Sequence, residues 1–115
     1  MSKIYSLENL KDILLKEKKR KKKIVLCHGV FDLLHIGHIK HLEKSKSLGD
    51  KLVVTITADK HVSKGPNRPV FNEHLRSEAI ASLKAVDYVA INYSESAALP
   101  LKLIKPDFYC KGKDY

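Results

Sequence analysis

Tryptophan is absent from this chain of 115 residues, methionine occurs once, and five glycines, four prolines and two cysteines make up its other scarce types. So little glycine and proline, without a repeat, excludes collagen-like and low-complexity architectures. Cys27 and Cys110 are too few for a disulfide framework and lack metal-ligand spacing. Both close apolar strand-like runs, so free and largely buried thiols are expected. No apolar run approaches the roughly 20 residues of a membrane-spanning helix, and the N-terminus carries no apolar signal-peptide segment. These absences point to a single soluble domain, cytoplasmic and without a membrane partner, near the lower size limit for a complete α/β enzyme.

Acidic residues are also in short supply, with 13 against 22 lysines and arginines and a formal net charge of +9. The excess is local. Residues 16 to 23 (Lys-Glu-Lys-Lys-Arg-Lys-Lys-Lys) carry a net +6, which leaves +3 for everything else. One reading is a solvated helix end whose cations complement C-terminal carbonyls. The other is a surface that attracts RNA, anionic lipid or another polyanion. No aromatic residue interleaves with the run to stack on bases, which argues against nucleic acid as a partner.

Along the chain, strand and helix patterns alternate. Leu7, Leu10, Ile13 and Leu14 follow helical spacing after a capping Ser6, predicting a helix to about Lys19. Ile24 to His28 is nearly continuous in apolar residues, as a strand covered on both faces requires. A second helix is predicted from about His38 to Leu48, ended by Gly49 in the left-handed conformation. Leu52 to Thr57 is a β-branched strand. The connection from Ala58 to Phe71 is long, and loops of that length tend to be functional. Asn72 caps a third predicted helix with Leu75, Ala79, Ile80 and Leu83 on one face, ending near Ala85. Tyr88 to Ile91 is a third strand, Ser96 caps a short helix to Ile104 with Pro100 in its first turn, and Phe108 to Cys110 is a fourth strand. Such alternation defines an α/β fold with a parallel sheet, which binds ligands at the carboxyl ends of its strands.

The block that organises the chain is Gly29-Val30-Phe31-Asp32-Leu33-Leu34-His35-Ile36-Gly37-His38. A strand ending in a glycine turn, followed by a helix start, directs backbone N–H groups and the positive end of a helix dipole at one spot suited to an anion. His35 and His38, three residues apart, share a face on a helical first turn and can donate to phosphate oxygens. Taken singly, these residues read as a capping glycine, a core phenylalanine and two surface histidines. Together, between a strand and a helix, they read as a phosphate site.

The block resembles the signature of the cytidylyltransferase-like nucleotidyltransferases, in which a Gly-x-Phe-Asp turn runs into His-x-Gly-His. The similarity continues through Lys64-Gly65-Pro66-Asn67-Arg68-Pro69-Val70, Arg76, Ala85-Val86-Asp87-Tyr88-Val89, Lys105-Pro106-Asp107 and Lys111-Gly112-Lys113-Asp114-Tyr115. These segments are similar, in the same order, to the adenylyltransferase domains of bifunctional ADP-heptose synthases. The resemblance implies one nucleotidyltransferase domain over residues 1–115, with an N-terminal helix and basic segment (1–23) ahead of a catalytic core (24–115). It implies a Rossmann-like (HUP-type) three-layer sandwich with a parallel sheet of order 3-2-1-4 and helices on both faces.

The reaction it implies joins a sugar phosphate such as heptose 1-phosphate to the α-phosphorus of ATP or CTP and expels pyrophosphate. CTP with glycerol 3-phosphate is the alternative, since Phe31 to His35 equally resembles those enzymes. The acceptor phosphate is already ionised, so the residues need only position and stabilise charge. His35 and His38 would contact the triphosphate, and with unperturbed pKa values near 6.5 they should be protonated by its charge. Lys64 and Arg76 match phosphate-binding positions, and Arg68 belongs to the same loop. Backbone around Gly29, Val30, Phe31 and Gly37 forms the cradle, with the Phe31 ring in the core. Gly112 and Asp114 match a Gly-x-Asp turn beside the nucleotide. Mg²⁺ is expected with the triphosphate, held by phosphates and waters with few protein ligands, and Asp32 either hydrogen-bonds the turn or the helix start or helps hold the metal. His28, His41, His61 and His74 receive no role, and the heptose enzymes carry a different residue at position 28.

Two departures stand out. Lys113 replaces a small residue of the heptose enzymes, and the family's Ser/Thr-rich closing motif is absent. Either the chain is the front of a longer multidomain protein, or it is a domain that no longer catalyses. As it stands it should bind triphosphate weakly and turn over poorly. A homodimer is compatible with the resemblance. A non-catalytic nucleotide- or nucleic-acid-binding module built on the lysine run is the competing class. Class I aminoacyl-tRNA synthetases share His-Ile-Gly-His, but the chain is too short for their architecture and lacks a Lys-Met-Ser-Lys-Ser segment.

Overall fold

Each apolar run of the sequence becomes a strand of one parallel sheet in a computed structural model, which describes residues 2–62 and 68–111. The order of elements is α1 (Leu7–Lys19), β1 (Ile24–Gly29), α2 (Ile36–Lys46), β2 (Lys51–Thr57), a short 3₁₀ turn (Asp59–His61), α3 (Glu73–Ala81), β3 (Tyr88–Asn92), α4 (Ala98–Ile104) and β4 (Phe108–Cys110). The sheet runs β3-β2-β1-β4, with every neighbouring pair parallel. Strand order therefore reverses between β1 and β4, as expected.

Alternate residues of the strands feed two cores. Val25 and Cys27 of β1 and Leu52, Val54 and Ile56 of β2 pack with Phe31, Leu42 and Ile80 on the α2/α3 face. Ile24, Leu26, Val53 and Ala90 pack with Leu7, Leu10, Leu14 and Ile104 on the α1/α4 face. This double coverage is why the strands are apolar almost without interruption. Beyond β3, the N-terminal segment adds a further parallel bridge, with Tyr5 N–H donating to Val89 O and Val89 N–H to Lys3 O.

Several local expectations are corrected. Helix α2 starts at Ile36, two residues before His38, because the His35 side chain itself caps it. Gly49 does not adopt the left-handed conformation. A Cβ there would lie 2.8 Å from Val25 Cγ2 and 2.9 Å from the Lys23 carbonyl, so glycine serves close packing instead. Helix α3 ends at Ala81 and its buried residues are Arg76, Ser77 and Ile80, while Leu75 is half exposed. Strand β3 extends one residue further, to Asn92. Position 97, not Ser96, is the N-cap of α4, although Ser96 Oγ still accepts the Ala98 N–H. Of the two thiols, Cys27 is fully buried and Cys110 only partly.

The lysine run has a structural task. Helix α1 closes in a Schellman arrangement, with Lys22 N–H bonded to Glu17 O, Lys21 N–H to Lys18 O, and Lys21 left-handed at φ 63°. Helix α4 ends at the same corner on Lys105, also left-handed at φ 50°. Lys18 Nζ donates to both Ile104 O and Lys105 O at 2.6 Å. The cations thus complement carbonyl ends, as the first reading holds, but the end that Lys18 serves belongs to α4.

Candidate functional site

At the carboxyl end of β1 the chain turns through Phe31, which takes the left-handed region at φ 53° although it is not glycine. Strain of this kind, on the order of 1–2 kcal/mol, persists only where the surroundings enforce it. Here they do, because the Phe31 ring is 3 % exposed in the α2/α3 core and meets the His38 ring edge to face at 5.7 Å.

Four residues later, His35 stands at the N-cap of α2 in extended conformation. Its Nδ1 accepts the Gly37 N–H at 3.0 Å, and His38 Nδ1 accepts the His35 N–H at 3.2 Å. The two imidazoles thus form a reciprocal cap of the kind that serine and glutamate usually provide. With Nδ1 of each ring accepting, the neutral rings carry their protons on Nε2. The cap therefore leaves Nε2–H of a neutral His35 ring as a donor suited to an anion. The ring centroids are 4.0 Å apart, His38 is buried and His35 exposed. Gly37 has a steric reason, since a Cβ there would come within 2.7 Å of His35 Cε1.

Asp32 reaches across to the end of the long loop. One carboxylate oxygen accepts from Val70 N–H (2.9 Å) and Arg68 Nη1 (3.2 Å), the other from Phe71 N–H (3.0 Å). Burial alone would raise its pKa, but these hydrogen bonds and the Arg68 charge outweigh it and hold the carboxyl below the usual range. These bonds go to a segment 36 to 39 residues away instead of to its own turn or the start of α2. Arg68 is thereby brought to the edge of the histidine turn, with its side chain 36 % exposed.

Arg76 departs furthest from expectation. Its side chain is fully buried, and its donors meet Phe71 O (3.0 Å), Val30 O and Thr57 O (2.8 Å each) and Asp59 Oδ1 (2.6 Å). It ties together the ends of β1 and β2 and both ends of the described loop. A cleft of about 350 Å³ lies alongside, lined by Phe31, Asp32, Leu34, Phe71, Leu75, Arg76 and Ala79. Lys64, Gly112 and Asp114 lie outside the described residues.

His28, left without a role by sequence, holds Thr55 Oγ1 at 2.8 Å through Nδ1, and burial lowers its pKa more than the contact with Thr55 raises it. Asp59 was missed altogether. Its only local signal is a position two residues past the second strand, and its partner lies 17 residues on.

A parallel sheet with a reversal of strand order, and a strained turn and a histidine-capped helix start at that reversal, define an α/β protein whose candidate ligand site lies at its strand ends. The description of the cytidylyltransferase-like family matches residues 26–115, and the chain belongs to that family. It is 40 % identical over 99 % of its length to a bifunctional protein HldE of Syntrophotalea carbinolica. It is 46 % identical over 84 % of its length to the HldE of a Nitratiruptor species. The chain spans about a fifth to a quarter of the length of these relatives. A lipopolysaccharide core biosynthesis protein from Thermoplasma volcanium superposes with a TM-score of 0.71 at 36 % identity, covering 76 % of this chain and 72 % of that one. No described helix is long and apolar enough to cross a membrane.

Proposed function

We propose that the chain carries nucleotidyl transfer from ATP to a sugar phosphate of the heptose 1-phosphate type. An oxygen of the acceptor phosphate attacks the α-phosphorus, the bond from that phosphorus to the bridging oxygen breaks, and pyrophosphate leaves with the electron pair. Both reacting groups are anions, so the work is to gather them and to stabilise the charge that builds on the phosphoryl oxygens. The observation that carries this reading is the reciprocal histidine cap at the start of α2, which turns Nε2 of the exposed His35 ring into a donor just past the end of β1. Arg68, held by Asp32, adds a cation at the same edge. Mg²⁺ arrives on the triphosphate, held by phosphates and water. The sugar phosphate follows from relatives named bifunctional HldE and from a neighbour named for lipopolysaccharide core biosynthesis.

The test is thermal stabilisation by each of four nucleoside triphosphates with Mg²⁺, since a ligand that binds only the folded state raises the melting temperature. We expect the largest shift with ATP and its loss in His35→Ala. A larger shift with CTP would move the assignment to cytidylyl transfer onto an alcohol phosphate. Equal shifts for all four, or an unchanged shift in His35→Ala and His38→Ala alike, would defeat it.

A further inference from the structure

Resting on the reading above, we infer that Arg76 is a positioning residue and Asp59 its partner, and that together they set the phosphate turn without touching the nucleotide. An arginine near a phosphate site is ordinarily assigned to the phosphates. Here the guanidinium is inaccessible, and Nε and both Nη atoms are already engaged by four oxygens from three separate segments. Asp59 is fixed in its turn by more than this pair, because its N–H donates to Glu73 Oε1 at 2.8 Å.

The contact that matters is Arg76 Nη1 to Val30 O. In a trans peptide the carbonyl and the N–H point in opposite directions. Drawing Val30 O inward toward Arg76 therefore turns the N–H of Phe31 to the other side and favours the left-handed φ that Phe31 adopts. The same Nη1 holds Thr57 O at the end of β2, so the two strand ends keep a fixed relation. Asp59 orients the fork that makes both contacts. An arginine can do this and a lysine cannot, because the task needs several donors in one plane at fixed angles.

The two roles predict opposite signs for one substitution. If Arg76 were a phosphate ligand held back by Asp59, Asp59→Asn would release the guanidinium and remove a negative charge, so Mg-ATP would bind as well or better. If Arg76 positions the turn, Asp59→Asn loosens it and Mg-ATP binds about tenfold more weakly, as the loss of one charge-assisted hydrogen bond implies. Asp59 is partly exposed, so this variant keeps its fold. Titration calorimetry of the intact 115-residue chain measures the affinity. Arg76→Lys serves as the second arm. It should fail to restore affinity if the fork is needed, and Asp59→Asn should add little to it because both remove the same support. Unchanged or tighter binding in Asp59→Asn, or normal binding in Arg76→Lys, overturns the inference while wild-type binding that depends on His35 leaves the proposed function standing. Wild-type binding that is absent or indifferent to His35→Ala removes both.

Discussion

Replacing Gly37 by alanine separates the stability of the histidine turn from its use. The new Cβ would stand 2.7 Å from His35 Cε1 and 3.0 Å from His35 Nδ1, closer than any relaxed contact, so the imidazole must swing away. Swinging away breaks the bond from Gly37 N–H to His35 Nδ1 and removes the cap, a loss of about 1 kcal/mol. Alanine in place of glycine within a helix returns about 1 kcal/mol. The two nearly cancel, so the melting temperature should move by less than about 4 °C. Binding has no such compensation. Under the proposed function, a displaced His35 no longer presents its Nε2–H to the triphosphate, and a hydrogen bond to a charged group is worth about 1.5–3 kcal/mol. At about 1.4 kcal/mol per factor of ten, Mg-ATP should bind about 10- to 100-fold more weakly. Thermal melting and titration calorimetry on the same preparation test both halves. Wild-type affinity in Gly37→Ala would refute the reasoning, and so would a large fall in melting temperature.

Two further outcomes follow from contacts already described. Lys18→Ala deprives the Ile104 and Lys105 carbonyls of their shared donor and should lower stability by about 1–2 kcal/mol, read as a lower urea midpoint, with Mg-ATP affinity unchanged. An unchanged midpoint with collapse of salt-sensitive binding to a polyanion such as heparin would instead make the lysine run a binding surface. Asp32 has a depressed folded pKa, so its contribution is present above its unfolded value near 3.9 and is lost as pH falls through the lower folded value. The Val70 and Phe71 amides should therefore stay protected from hydrogen exchange at pH 4 and lose protection only in stronger acid. Protection lost by pH 5 would contradict the clasp.

The elements were legible in sequence because their causes are local. The apolar strands, the caps by Ser6 and Asn72 and the histidine block are patterns within a few residues, and the structure realises them. What escaped depends on distant partners. Nothing near Arg76 in sequence announces that Val30, 46 positions earlier, supplies one of its acceptors. Asp32 was recognised as a hydrogen-bonding residue, but its partners lie beyond a long connection and no spacing rule identifies them. The start of α2 was misjudged for another reason. Histidine is not among the usual capping side chains, and only the fixed rotamers of His35 and His38 turn Nδ1 into the missing acceptor.

The reciprocal cap also bears on the chemistry of contamination. Two imidazoles with ring centroids 4.0 Å apart, one exposed and one buried, would ordinarily invite zinc, nickel or copper, which bind through an unprotonated ring nitrogen. In this turn the unprotonated nitrogen of each neutral ring is Nδ1, and each Nδ1 already holds a backbone N–H. A metal approaching Nε2 would require the ring to change tautomer and surrender its cap, so capture of the ion would loosen the first turn of α2. The cap of α2 thus sets a structural cost on metal capture at either ring.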